Sequence, residues 1–490
     1  MSNKTFLWHD YETFGVNPRR DRPAQFAAIR TDAALNEIGQ PLMIYCQPAN
    51  DFLPEPEACL ITGITPQLCL EKGLPEHQFA ATIERELSQP GTIGVGYNTI
   101  RFDDEVTRFM FWRNLIDPYA REWQNNCGRW DLLDVVRMAY ALRPDGIVWP
   151  TKQDENGAPG LMKPSFKLTD LTAANGLAHE SAHDALSDVR ATIALARLIR
   201  THNPKLWDFC LALHKKERVA QELGLPASRD SAKPFLHVSG MFPPERGCLA
   251  VMWPLATHPV NKNELIAWDL SATDGDPAPL ATLNADEIRQ RMFTKSSDLP
   301  EGVSRLPIKT VHLNKSPMVV GNLKTLTPMQ AQKWQIDINA AMGHAATARD
   351  LPDMGAIWAK VFQREPQGAV DVDEDLYGGF IGNTDRKRLN DLRKLDGPQL
   401  AKARNAFDDP RLEELVFRYR ARNFLASLSL EDATRWEEYR ASKLLEGEGG
   451  HKPVDTYFEE IDRLSESADE RGEEILGALY DWAEMVAPER

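Results

Sequence analysis

The sequence predicts a multidomain chain in which an α/β domain leads, a smaller and mostly β domain follows, and an α-helical domain closes the order. Three observations carry this reading. Strand-like and helix-like stretches alternate over the first 200 residues. Short β-rich pieces separated by Gly, Pro and Asn turns run from about 235 to 325. From about 327 the apolar spacing becomes helical, with Gly and Pro largely confined to the joints. At about 100 to 200 residues per domain, a chain of 490 residues and 55.2 kDa has room for two to four cores.

The α/β part opens with Thr5-Phe-Leu-Trp-His-Asp-Tyr-Glu12 and a second apolar run, Pro41-Leu-Met-Ile-Tyr-Cys46. A third run, Thr92-Ile-Gly-Val-Gly-Tyr-Asn98, precedes 103–116, where Val106, Phe109, Met110 and Arg113 fall at helical spacing. The block closes with 185–200, where Leu186, Val189, Ile193 and Ala196 line one face, so both segments read as amphipathic helices. The polar stretch 151–164, with its Gly and Pro, is expected to be a surface loop inside this first domain. A stronger break lies at 224–234, after which Leu236-His-Val, Leu249-Ala-Val-Met-Trp, Leu265-Ile-Ala-Trp and Lys309-Thr-Val-His-Leu read as short strands. Helices are expected over 411–424, 431–445 and 454–487, and no internal repeat or low-complexity segment interrupts the chain.

Composition narrows the function. With 57 basic and 72 acidic side chains the net charge is −15, which speaks against a protein that coats nucleic acid through bulk charge, so any nucleic-acid site must be local. Residues 201–350, with 17 bases and 15 acids, form the only net basic third. Residues 451–490 hold 12 acids against 4 bases and read as a solvated helical face in preference to a partner-binding tail. No apolar run approaches the roughly 18 residues of a membrane span, and charge appears too early for a signal peptide. The six cysteines are scattered, without Cys-x-x-Cys pairs, and are expected to be reduced, buried thiols of a cytoplasmic protein.

The chemistry is concentrated in carboxylates. Asp10 and Glu12 sit two apart in a strand-like segment, so the period of two puts both on one side of the sheet. Two adjacent anions at the end of a buried strand are costly unless a cation neutralises them, and hard oxygen ligands suit Mg²⁺ or Mn²⁺. Alone, the pair is weak evidence, because surface strands often carry one. Asp103, at the mouth of a helix, and Asp188, opening the last helix of the block, add acid from two further element ends, where α/β folds assemble sites. Four carboxylates around two cations about 3.5 to 4 Å apart can activate a water and stabilise the leaving oxygen of a phosphodiester. His183 fits as the general base. On a continuous helix it would point about 140° away from Asp188, so a loop position before the helix is expected.

These residues resemble the 3′ to 5′ exonucleases that carry Asp, Glu, Asp, Asp and His in three motifs. The matching positions are Asp10 and Glu12, the Asn98-to-Asp103 motif, and His183 with Asp188. The subgroup with Tyr four residues before the last Asp is excluded, because position 184 is Asp. Further stretches are similar to the bacterial exodeoxyribonuclease I family along the whole chain: 9–15 (HDYETFG), 21–32, 97–105, 129–135, 182–189, 237–242 and 419–424. The resemblance implies a ribonuclease-H-like exonuclease domain at 1–203, an SH3-like domain at 204–352 and a helical domain at 353–490, forming a C-shaped clamp round one DNA strand. It implies two Mg²⁺ ions, with Mn²⁺ as a substitute, held by Asp10, Glu12, Asp103 and Asp188. The partners it implies are single-stranded DNA and the single-stranded DNA-binding protein, acting on a monomer.

By the same resemblance Arg108, Tyr119, Trp123 and Arg137 line the DNA groove, although their spacing alone favours an amphipathic helical face with core aromatics. Glu12 and Lys167 are expected to touch the nucleotide near the active site. Lys167 stands where the family has Arg, keeping the charge and losing the bidentate fork. Lys216 and Asn263 are further candidates for the strand's path, with a solvated charge run an equal reading of the first. The leading function is therefore a processive 3′ to 5′ exonuclease that degrades single-stranded DNA to 5′-mononucleotides in DNA repair and recombination. Against a proofreading or RNA-trimming nuclease stand the roughly 290 residues after the first domain. Against a non-catalytic DNA-binding scaffold stand all five motif residues, and a helicase would need a G-x-x-x-x-G-K-[ST] loop that is missing.

Overall fold

The computed structural model describes residues 4–154, 160, 162–179, 184–228, 230–363, 368, 370–403 and 406–489. The chain divides into two compact units, one built from 1–128, 179–190 and 367–490, the other from 129–178 and 191–366.

The first unit is organised by a sheet whose strands are β1 (Thr5–Thr13), β2 (Pro23–Thr31), β3 (Leu42–Tyr45), β4 (Thr92–Gly96) and β5 (Gly128–Asp131), in the order β3-β2-β1-β4-β5; its last strand carries the chain into the second unit. β1 pairs antiparallel with β2 and parallel with β4, so the apolar run Phe6 to Trp8 lies in the middle of the sheet and is buried. A buried central strand of this kind reads as continuous apolar sequence. The helix Glu76–Leu87 lays Phe79, Ala80, Ile83 and Leu87 against Leu7, Tyr11 and Phe26.

The helix Asp103–Arg113 departs from the expected amphipathic pattern, because nearly every residue in it is buried. The cause is that it is covered on two sides. Val106, Met110 and Phe111 pack in the sheet-side core, while Phe109 and Trp112 pack with Leu376, Leu389, Leu412, Leu415 and Tyr419 of the C-terminal helices. A second seam joins Phe14, Phe52, Cys59 and Cys69 to Tyr457, Ile461, Leu476 and Leu479. The C-terminal helices include Arg411–Asn423, Leu430–Leu444, Val454–Ser465 and Glu470–Val486.

An ionic knot lies between these seams. Asp51 is wholly buried and accepts from Arg422 Nη2 at 2.8 Å and from Lys443 Nζ at 3.2 Å, while Arg422 also donates to Asp373 at 3.0 Å. Burial alone would raise the Asp51 carboxyl. Arg422, Lys443 and Arg22 outweigh it and hold the group well below the usual carboxylate range. Asp373 is held down in the same way by Arg422 and Arg418.

In the second unit β6 (Thr151–Gln153) and β7 (Met162–Pro164) form a small antiparallel ladder where a loop is expected; polar residues with no apolar face conceal a pairing made by backbone hydrogen bonds. Strands β8 (Phe235–Val238), β9 (Leu249–Thr257), β10 (Glu264–Asp269), β11 (Ile308–His312) and β12 (Met318–Val320) make an all-antiparallel sheet in the order β11-β10-β9-β8-β12. Pro254 sits inside the central β9 without breaking it, because the register shifts there against β10 and β8 pairs only up to Met252. All six cysteines are buried and none forms a disulfide. No helix among the described residues is long and apolar enough to cross a membrane.

The knot makes a measurable demand. Arg422→Met strips two buried carboxylates of their shared cation and is expected to cost about 3 to 5 kcal/mol in urea unfolding at pH 7. Because Asp51 and Asp373 titrate below their unfolded value of about 4, the knot's contribution is complete above that pH and is lost as pH falls through the lower folded values. The deficit of Arg422→Met relative to the wild type should therefore shrink in acid. A deficit constant down to pH 3 would remove the knot from the stability of the fold.

Candidate active site

Three backbone features bring the acids together. β1 ends at a bulge just past Glu12, in a register that sets Asp10 opposite Ala27 and Glu12 opposite Gln25. The parallel neighbour β4 ends at Gly96, where an added Cβ would stand 2.6 Å from the His9 carbonyl oxygen, so only glycine fits the approach. The chain then turns through Asn98, at φ +67°, and starts its helix at Asp103. The third feature is the start of the helix Ala185–His202. The Asp184 carboxylate accepts from the Ser187 N–H at 3.2 Å in the manner of an N-cap, and Gln25 Oε1 accepts from the Ala185 N–H at 3.3 Å. Asp188 thus sits on the first turn.

The result is a carboxylate cluster. Asp10, Glu12 and Asp188 each offer an oxygen, and the three atoms lie within 4.8 Å of one another. Asp103 is buried, and its Oδ1 accepts from the Tyr11 N–H at 3.2 Å. Burial, then Asp103, Glu12 and Asp188 in turn, push the Asp10 carboxyl well above its ordinary range. Burial, with Asp188 and Asp184, pushes Glu12 up to about 7. Such anions, held together with too little positive charge, fit a hard divalent cation: all donors are carboxylate oxygens, and the crowding that costs energy in the bare protein is what a cation relieves. His183 lies outside the described residues. A histidine the spacing did not single out, His179, instead donates from Nε2 to Asp188 Oδ1. Its nine-residue separation from Asp188 falls on no helical or strand period, so no periodic signal could have found it.

The other expected contacts fare unevenly. Trp123 is 64 % exposed and Tyr119 half-buried, and Tyr119 meets the ring of Phe380, itself 90 % exposed, at 6.4 Å between centroids. Phe380 comes from the C-terminal part, which sequence spacing could not connect to position 119. Arg108 is buried and donates to Glu122 at 2.7 and 2.9 Å, to Glu105 at 2.8 Å and to the Tyr377 hydroxyl at 3.1 Å. Its guanidinium lies 5.2 Å from the Tyr119 ring centroid and supports that ring. In the second unit Arg137 pairs with Asp134 at 2.8 Å, Lys167 is exposed just before the helix Leu168–Ala174, and Lys216 Nζ donates to Asn263 Oδ1, which joins the last two candidates in one contact.

A sheet that ends in a buried carboxylate cluster, with an exposed aromatic edge in the same unit, defines a divalent-metal-dependent nuclease. Family models describe residues 7–196 as an exonuclease, 214–364 as the exonuclease I SH3-like domain and 370–486 as the exonuclease I C-terminal domain. The chain is 44 % identical over 483 residues to the exodeoxyribonuclease I of Haemophilus influenzae, covering 98 % of each. Among solved structures it is similar to an exonuclease I from Methylocaldum szegediense, at 45 % identity and TM-score 0.90 over 99 % of each chain. It is similar also to E. coli exonuclease I in complex with a dA16 oligonucleotide, at 41 % identity and TM-score 0.89 over 99 % of this chain and 100 % of that one. The chain belongs to the exodeoxyribonuclease I family.

The crowding fixes a pH signature. Because the folded Glu12 and Asp10 titrate above their unfolded values, their unfavourable contribution is absent below the unfolded values of about 4 and grows as pH rises from there toward the folded ones, about 7 for Glu12. In EDTA, the melting temperature of Asp10→Asn should exceed that of the wild type by more at pH 8 than at pH 5. A variant that melts well below the wild type at both values would show that Asp10 holds the fold together.

Proposed function

We propose that this chain is a processive 3′ to 5′ exonuclease that degrades single-stranded DNA to 5′-mononucleotides by phosphodiester hydrolysis, in DNA repair and recombination. The observation that carries the reading is the position of Asp10. It shares a cluster with Glu12 and Asp188, yet Asp103, outside that group of three, is the charge that raises its carboxyl most. That supports Asp10, Glu12, Asp103 and Asp188 as the residues that would hold two Mg²⁺ ions, with Mn²⁺ as a substitute. Bound there, the cations supply the positive charge that activates the attacking water and stabilises the leaving oxygen. His183 takes the proton of that water as general base. Glu12 also contacts the terminal nucleotide.

The single strand needs stacking faces and positive charge. Tyr119, Trp123 and Phe380 supply the faces, with Arg108 bracing Tyr119. Lys167, Arg137, Lys216 and Asn263 are proposed to follow the backbone. The domains divide at about 203 and 352, and the chain acts as a cytoplasmic monomer. The solved ExoI/SSB-Ct complex, 40 % identical to this chain, supports the single-stranded DNA-binding protein as a partner. A cavity of about 450 Å³ whose lining includes Arg143 and Lys205 beside Leu142, Leu206, Phe209 and Val320 has the basic side chains that an acidic tail requires.

Digestion of 3′- and 5′-end-labelled single-stranded DNA, duplex DNA and RNA, with Mg²⁺ or with EDTA, tests the reading. Mononucleotide release from the 3′ end of single-stranded DNA, only with metal, is expected; undigested single strands, or preferred digestion of RNA, would overturn it. His183→Ala should slow turnover by about 10²- to 10⁴-fold with little change in DNA binding. Near wild-type turnover would remove His183 from the mechanism. On the aromatic edge, Trp123→Ala or Phe380→Ala should weaken single-strand binding by about 1 to 3 kcal/mol each, with the salt slope unchanged because no phosphate contact is lost. A changed slope with unchanged affinity at low salt would assign these rings no stacking role.

A further inference from the structure

Each acid of the cluster must keep its oxygens aimed, or the cations find a different cage. Asp103 is aimed by the Tyr11 backbone N–H, inside the sheet-bound strand β1. Asp188 has no strand beneath it. It stands on the first turn of a helix, and its side chain retains 20 % exposure. What reaches it is the His179 imidazole, whose side chain is 7 % exposed and whose Nε2 donates to Oδ1.

We propose that His179 is the positioning residue for Asp188, holding Oδ1 so that the carboxylate stays turned toward Asp10 and Glu12, and thereby setting the affinity of the site for a divalent cation. The inference rests on the proposed function, since it takes Asp188 as a cation ligand. One ring nitrogen of His179 is occupied by this contact. Its Nε2–H is committed to a carboxylate, so that nitrogen carries a proton already and cannot receive one from water. Carboxylates that bind metals are commonly held by hydrogen bonds of this kind, and loss of one typically costs about 10- to 100-fold in metal affinity or activity. Among the described residues, Asp184 accepts from the Ser187 N–H and Gln25 from the Ala185 N–H, contacts that fix where the helix begins and do not reach the Asp188 side chain.

The test uses the full chain and Mn²⁺ alone as probe, titrated by electron paramagnetic resonance and by calorimetry. Four variants are compared with the wild type: His179→Gln, which keeps an N–H within reach of Asp188; His179→Met, which fills the space without a donor; His183→Ala; and Asp188→Asn. His179→Met is expected to weaken Mn²⁺ binding about 10- to 100-fold, and His179→Gln to recover most of it. At saturating Mn²⁺ the turnover of His179→Met should return toward the wild type. His183→Ala should show the opposite split, with Mn²⁺ affinity kept and turnover lost. Unchanged Mn²⁺ affinity in His179→Met, with Asp188→Asn clearly weakened, would overturn the positioning role and leave the metal site standing. Equal losses in the Gln and Met variants would overturn it too, by tracing the effect to packing. If neither the wild type nor Asp188→Asn binds Mn²⁺, the metal reading of the site itself fails.

Discussion

Mutual repulsion among the carboxylates at the end of β1 is the constraint on which the site depends. Asp10 and Glu12 share one side of a strand because of the two-residue period, and Asp188 and Asp103 arrive from separate helix starts. That meeting is costly in the bare protein, since burial and like charge both raise the Asp10 and Glu12 carboxyls. The surrounding backbone must impose it. Gly96 lets β4 end against the His9 carbonyl, Asn98 turns the chain at positive φ, and Asp184 starts the last helix where Asp188 falls on its first turn. Each is a local cost or a local rule that makes sense only if a cation later relieves the crowding.

The rest of the first unit treats positive charge in the opposite way. Arg108, Arg113, Arg121, Arg418 and Arg422 are buried and paired with acids: Arg113 reaches Glu76 at 3.0 Å, Arg121 meets Asp104, and Arg422 spans Asp51 and Asp373. These guanidiniums are therefore not available to a DNA backbone. In the proposed function this shifts weight onto aromatic faces for holding a strand, the part given there to exposed Trp123 and Phe380.

The sequence made legible what is periodic or motif-bound. The strand with Asp10 and Glu12, the helix starts at Asp103 and near Asp188, and four of the five strands of the middle sheet all follow from patterns of two or of 3.6 residues. What it hid was set by tertiary contact. The Asp103–Arg113 helix carries an apolar face on each side, because the C-terminal helices cover what would otherwise be its solvent side. Arg108 reads as an accessible base among aromatics until Glu105 and Glu122 close on it. Tyr119 with Phe380, and Lys216 with Asn263, are long-range pairs that no window along the chain contains.

That tertiary cover gives the C-terminal helices a second task besides any contact with DNA. Phe109 and Trp112 lie in a core shared with Leu389, Leu412 and Tyr419, and Asp51 is compensated by Arg422 and Lys443, both from beyond residue 400. An exonuclease domain cut off near 203 would keep its four carboxylates but expose that apolar face and take Arg422 and Lys443 away from Asp51, leaving Arg22, whose guanidinium stands 3.9 Å away. Exposed core surface of this kind costs several kcal/mol, a large fraction of the roughly 5 to 15 kcal/mol that holds a domain together. The helix that would suffer first is the one that begins at Asp103. Loss of activity in such a fragment would then reflect a displaced carboxylate as much as a lost grip on the strand, so the proposed strand contacts are better separated from catalysis at exposed positions such as Trp123 and Phe380.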